Sequence, residues 1–247
     1  MDKKRFNKIV KDIKTLKVQG AKEIAKKGYY AYSLIPTKRS KKKLLSLRPT
    51  EPLLRNVLEK KSYSEVLEHF DFVQDEINKK VLKLIKNGDV IFTHCHSSTV
   101  VNALIYAMKK KKFEVYNTET RPLFQGRKTF RELKKAGIKV TMFVDSAARI
   151  AMLEKQKTKR VTKVFFGADA LQKDGVVNKV GSGMFARIAF ENKIPVYILS
   201  DSWKFSPKKV KLEKRSFREV WKKFRGIEIP AFEFIPKKFI KKIITEK

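Results

Sequence analysis

From Asn87-Gly88-Asp89 onward the chain alternates short apolar runs with helix-length amphipathic ones, and no other feature limits its fold so tightly. Val90-Ile91-Phe92-Thr93 precedes a helical pattern over 98–110, Phe113 to Tyr116 one over 127–136, and Ile138 to Val144 one over 146–154. Val161 to Phe166, a helical pattern over 182–192 and Val196 to Leu199 continue the series. The apolar runs lack in/out alternation, as strands do when both faces of a sheet are covered. Such strands alternating with helices of about ten residues make βαβ units and a parallel sheet. The expected fold class is α/β: an N-terminal helical domain over 1–80, then a Rossmann-like parallel-sheet domain over 81–247.

Before residue 80 the period is helical. Phe6, Ile9, Val10, Ile13 and Leu16 recur at three- and four-residue spacing. A break at Gln19-Gly20 is followed by a helical pattern over 21–34, and the segment 37–48 reads as a basic linker closed by Arg48-Pro49-Thr50-Glu51-Pro52. A further helical pattern runs from Leu53 through Ile85, and the tail from Phe217 reads as helix, turn and a final helix over 236–245. At 247 residues and 42% apolar the chain belongs with soluble globular proteins. It has no apolar run approaching the roughly 20 residues of a membrane span. The N-terminus lacks the apolar core of a secretory signal, so the expected location is the cytoplasm. One cysteine makes neither an internal disulfide nor a Cys-rich zinc site, and no metal is expected.

The formal net charge of +34 suggests anionic partners, but the lysines are spread along the whole chain and arginine is far scarcer. There is no zinc-finger spacing and no RNP-like motif. A lysine-rich surface is the reading, with non-specific RNA binding expected only at low salt.

Ligands of open α/β sheets sit outside the carboxyl ends of the strands, which tells us where to look. His94-Cys95-His96 follows the first run, Asn117 to Arg121 the second, Asp145 the third, Gly167-Ala168-Asp169 the fourth, and Asp201 to Lys204 the fifth. Cys95 precedes Ser97-Ser98-Thr99, which opens the next helix. It is either a thiolate favoured by that helix N-terminus or a small buried apolar group. His94 and His96 read as packing or supporting groups. Asp169 is either a general acid projecting into the crevice or a cap for the next segment. Asp145 reads as the cap of the helix after it. Lys179 and Lys204 either neutralise phosphate or are two more surface lysines. No Gly-x-Gly-x-x-Gly and no Walker loop are present, so a dinucleotide or nucleoside triphosphate is unsupported and no cofactor is expected.

Five ordered motifs carry a resemblance: Thr93-His94-Cys95-His96-Ser97-Ser98, Glu119 to Gly126, Gly167-Ala168-Asp169, Asn178-Lys179-Val180-Gly181 and Ser202-Trp203-Lys204-Phe205. The chain resembles the superfamily that joins the regulatory subunits of translation initiation factor 2B to two sugar-phosphate isomerases. Those isomerases act on methylthioribose 1-phosphate and ribose 1,5-bisphosphate. Asp145 to Arg149 and Arg48-Pro49-Thr50 look closest to the archaeal ribose-1,5-bisphosphate isomerases. The resemblance implies a cysteine base at Cys95 and an aspartate acid at Asp169. It places a substrate phosphate on Arg48 and another at Lys204, with Ser97, Ser98 and Thr99 offering hydroxyl and N–H groups to phosphate. Gln125 would line the pocket, and Asn178 and Lys179 would bind sugar or phosphate oxygens. One departure stands out: the enzymes carry Arg-Gly-Ala near the N-terminus, where this chain has Gln19-Gly20-Ala21.

The expected activity is an aldose–ketose isomerase, ribose 1,5-bisphosphate to ribulose 1,5-bisphosphate, in a homodimer or homohexamer, with a nucleotide admissible as an effector. The rival is a non-catalytic translation-factor-like subunit that binds a nucleotide or sugar phosphate. Gln19 favours the rival, and retention of both Cys95 and Asp169 favours the enzyme.

Overall fold

The structure is a computed structural model and describes residues 2–153 and 159–247. Helix α1 (Asp2–Lys14) buries Phe6, Val10 and Ile13 on one face, and α2 (Ala21–Leu34) packs against it with Ile24, Ala25, Tyr29 and Ala31. The segment expected as a basic linker is instead helix α3 (Lys38–Leu47). Thr37 and Ser40 form a reciprocal capping box at its start, and Leu44 anchors it in the helical core. Lysine is itself a good helix former, so a basic run need not be a loop. The long pattern after Leu53 is two helices: α4 (Pro52–Val57), with proline in its first turn, and α5 (Tyr63–Leu84), restarted where Ser62 accepts the Glu65 N–H.

Five strands follow in the expected alternation. They are β1 (Val90–Thr93), β2 (Glu114–Thr118), β3 (Lys139–Phe143), β4 (Lys163–Phe166) and, later in the chain, β7 (Val196–Leu199). Helices α6 (Ser98–Met108), α7 (Gln125–Lys135) and α8 (Ala148–Leu153) fall between the first four, and α9 (Ser182–Glu191) precedes β7. The helical pattern expected over 146–154 opens as a 3-10 turn at Asp145–Ala147, and its last residue lies outside the described residues.

One stretch that the sequence leaves unassigned is filled, and the reading of the tail is corrected. The stretch after Asp169 is a hairpin, β5 (Ala170–Gln172) and β6 (Gly175–Lys179), which β8 (Phe232–Pro236) extends into a three-stranded antiparallel sheet. The tail holds no α-helix: Phe217–Glu219 and Lys237–Phe239 are 3-10 turns, and Lys242–Ile244 is strand β9. The β-branched residues Ile243 and Ile244 suit a strand, and the edge of β7 offers them a partner. Ile243 and Ile244 pair with β7 and bury Ile244 against the sheet.

The main sheet is six-stranded and parallel, in the order β3-β2-β1-β4-β7-β9. Val164, Phe166 and Ile198 pack with α9 on one face, and Ile91, Val115 and Phe165 pack with α6 and α7 on the other. Helix α5 serves two cores: Val66 and Phe70 join the helical cluster, while Val73, Ile77 and Val81 join the sheet. The helices of the first 84 residues are thereby fixed over the carboxyl ends of the strands.

Candidate active site

The chain runs outward from β1 to β2 and β3, then crosses back to β4 on the other side of β1. The order therefore reverses between β1 and β4, and a crevice opens outside the strand ends at such a point. Here it is a cavity of about 590 Å³. Every residue proposed from sequence for catalysis or binding lines it: Gln19, Gly20, Ala21, Arg48, Cys95, Ser97, Ser98, Thr99, Gln125, Asp169, Asn178, Lys179 and Lys204.

Cys95 adopts a left-handed backbone (φ 65°) immediately after β1, a conformation a non-glycine residue keeps only when its surroundings enforce it. Two threonine hydroxyls do so. Cys95 N–H donates to Thr120 Oγ1 at 3.0 Å, and Thr129 Oγ1 donates to the Cys95 carbonyl at 2.8 Å. Burial pushes the thiol up to about 11, against the opposing pull of the Lys179 charge and the N–H of His96. Desolvation thus prevails over the groups expected to favour thiolate.

His94 and His96 support this loop from either side. His94 Nε2 donates to the Val180 carbonyl at 2.9 Å, so its Nδ1 accepts from Thr118 Oγ1 at 2.5 Å. Because the Thr129 hydroxyl proton goes to Cys95, His96 Nδ1–H donates to Thr129 Oγ1 at 3.1 Å. Burial lowers both rings to about 4, which keeps them neutral. Asp145 does not cap the helix after it. Its carboxylate accepts the N–H groups of Thr120 and Arg121 at 2.8 and 2.7 Å and so braces the loop that holds Cys95.

Asp169 follows β4, the sheet neighbour of β1. Its carboxyl is raised by burial against the pull of Lys204, Lys179 and Arg48, a state that holds a proton toward neutrality. Two glycines make the close approaches. A Cβ at Gly167 would meet Ser97 Oγ at 2.6 Å, where the β4 loop passes the start of α6, and one at Gly126 would lie 1.7 Å from the Thr118 carbonyl oxygen.

The cations are partly engaged already. Lys204 is buried and donates to the Ala168 carbonyl at 2.6 Å, and Lys179 lies 5.0 Å above the Phe232 ring. Asn178 donates to Ser182 Oγ at 2.9 Å, and Ser97 caps α6 by accepting the Val100 N–H. Gln125 Nε2 donates to Gln19 Oε1 at 3.3 Å, linking α7 to the turn before α2 across the cavity. His69 Nε2 lies 2.9 Å from Asp201 and stacks on Trp203 at 3.4 Å, which fastens the Lys204 turn to α5. His69, Asp201 and Glu246 bring potential metal-ligand atoms within 4.8 Å of one another. Asp201 Oδ1 already accepts the Trp203 N–H, and the Glu246 carboxylate accepts the N–H and hydroxyl of Ser202.

Sequence reasoning missed Glu51, Arg215 and Phe232 as lining residues. Glu51 stood beside the Arg48-Pro49-Thr50 element, which was signal enough. Arg215 had none, because it arrives through long-range bonds: Thr50 Oγ1 donates to the Lys211 carbonyl and accepts the Glu213 N–H, pinning that distant segment to the wall. Arg48 reaches Glu51 Oε1 through Nε and Nη2 at 3.1 and 2.7 Å, and its Nη1 lies 3.4 Å from Glu213. Burial raises the Glu51 carboxyl to about 7, with Arg48 opposing and the charge of Asp169 adding.

Several known proteins are similar to this chain. Ribose 1,5-bisphosphate isomerase of Methanocaldococcus jannaschii is 36% identical over 230 residues, 82% of this chain and 73% of the relative. The enzyme of that name from Thermococcus kodakarensis is 31% identical, over 99% of this chain and 90% of its own length. A solved structure described as the Pyrococcus horikoshii OT3 translation initiation factor eIF-2B superposes with a TM-score of 0.86 at 29% identity, covering 98% of this chain and 95% of that one. The profile of the initiation factor 2 subunit family matches residues 38–247, from α3 to beyond β9, a span that holds both strand-end loops. With its sheet, its switch-point cavity and that match taken together, the chain belongs to the initiation factor 2 subunit family.

Proposed function

We propose that this protein is an aldose–ketose isomerase that converts ribose 1,5-bisphosphate to ribulose 1,5-bisphosphate in the cytoplasm. The observation that carries the reading is the placement of a thiol and a buried carboxyl on neighbouring strand ends around one cavity. Relatives that bear the isomerase name at 31–36% identity support it. Asp169 donates its proton to the ring oxygen and opens the sugar. Cys95, as thiolate, takes the C2 proton and returns it to C1 through an enediol-like intermediate. The proton leaving the C2 hydroxyl returns to Asp169, so the cycle balances. Lys179 and the His96 N–H are the groups that favour the thiolate.

Lys179, Lys204 and Arg48 supply positive charge, and Ser97, Ser98 and Thr99 supply helix-start donors for phosphate oxygens. Asn178 and Gln125 line the sugar. Gln19, Gly20 and Ala21 close the wall contributed by residues 1–80, while residues 81–247 carry the reacting groups. A homodimer or homohexamer is part of the proposal. The similarity to the Pyrococcus eIF-2B structure keeps the non-catalytic binder as the second reading. A panel of phosphorylated pentoses followed by product NMR decides between them. Conversion of ribose 1,5-bisphosphate is expected; no turnover on any member would establish the binder.

A further inference from the structure

Glu51 is an oddity of the cavity wall. Its side chain is 1% exposed, yet it lines the cavity. Oε1 is saturated by the two N–H groups of Arg48, while Oε2 is buried and has no hydrogen-bond partner among the described residues. An unmatched buried carboxylate oxygen is costly, so a native fold keeps one where something else completes it. When Glu51 is ionised Arg48 offsets its charge, and Oε2 is then a directional acceptor. Glu213 lies on the far side of the same guanidinium, with Arg215 beside it. A phosphate oxygen carries no proton to give to an ionised carboxylate oxygen. A hydroxyl fits.

We infer that Glu51 Oε2 accepts an O–H of the bound sugar, so that Glu51 reads the polyol while the cations and the α6 start read the phosphates. The inference rests on the sugar-phosphate reading above. It assigns recognition to a residue outside the five motifs and gives Arg48, besides the charge it offers phosphate, the task of holding Glu51 in place.

The test measures binding of ribose 1,5-bisphosphate and its 2-deoxy and 3-deoxy analogues in a Cys95→Ser background, with and without Glu51→Gln. With Glu51 present, one analogue should bind at least about 10-fold more weakly than the parent, the scale of a lost charge-assisted hydrogen bond. With Glu51→Gln, that discrimination should shrink to within about 3-fold while the helical content stays unchanged. A merely structural role would weaken all three ligands equally. Equal discrimination with and without Glu51→Gln overturns the inference. So does indifference to both missing hydroxyls with Glu51 in place, a result that stands even if Glu51→Gln does not fold. Discrimination in a protein whose wild type turns over nothing would sink the isomerase reading and leave this one standing, and turnover without discrimination would do the reverse. Failure of ribose 1,5-bisphosphate to bind would end both.

Discussion

Lys179 and the His96 N–H draw the Cys95 thiol toward ionisation, while burial drives it the other way and prevails. Iodoacetamide should therefore label Cys95 more slowly than a free thiol at pH 7.5, with a rate climbing toward about pH 11, and ribose 1,5-bisphosphate should protect it. The same displacement has a sign in stability. The folded protein holds the thiol proton above the pH at which the unfolded chain loses it, so this contribution is intact below about pH 9 and lost between about 9 and 11. Cys95→Ser should lower turnover by at least about 100-fold, as should Asp169→Asn, with ligand binding retained because the phosphate contacts survive. Turnover undiminished in Cys95→Ser would mean that another group is the base. His94 and His96 are displaced downward, to about 4, so imidazole NMR resonances should show both rings still neutral at pH 5.5, where a free histidine is mostly charged.

Helix α7 is set by one atom's worth of room. The 1.7 Å between a Cβ at Gly126 and the Thr118 carbonyl leaves Gly126→Ala no option but to move the helix off β2. We expect a loss of about 2 kcal/mol or more in a denaturant titration, with Gln125 and Thr129 displaced from the site. At this scale the sequence was most readable where two periods alternate, because a covered parallel strand must be apolar on both faces and a covering helix on one. That logic located β1 to β4, β7 and their helices, and through the strand-end rule it found Cys95 and Asp169. It failed on α3, whose seat depends on Leu44 and a two-residue cap, and on β5, β6, β8 and β9. Those strands lie outside the strand–helix alternation: β5, β6 and β8 pair antiparallel with no helix between β5 and β6, and β9 has three residues. Glu51 and Arg215 reach the cavity by tertiary contact, which no local pattern encodes.

Over the whole molecule the +34 charge surrounds a cavity that is itself of mixed sign. Non-specific RNA binding should be measurable at 50 mM salt by filter retention and fall steeply by 200 mM, in contrast to a specific ligand held by buried groups. Met184 and Phe190 on α9 are about half exposed, an apolar surface that agrees with association, and light scattering should give a mass of two or six chains. Among the described residues no helix is long and apolar enough to cross a membrane. The pairing of β9 with β7 adds a matter of timing. On the ribosome β7 is made well before β9, so the β7 edge waits unpaired through the synthesis of everything from Asp201 to Lys241. An open edge recruits other strands, and this one ends at the turn that carries Lys204. The nascent chain is then most exposed to mispairing next to its own binding site, and a pause in translation between those two strands would lengthen that exposure.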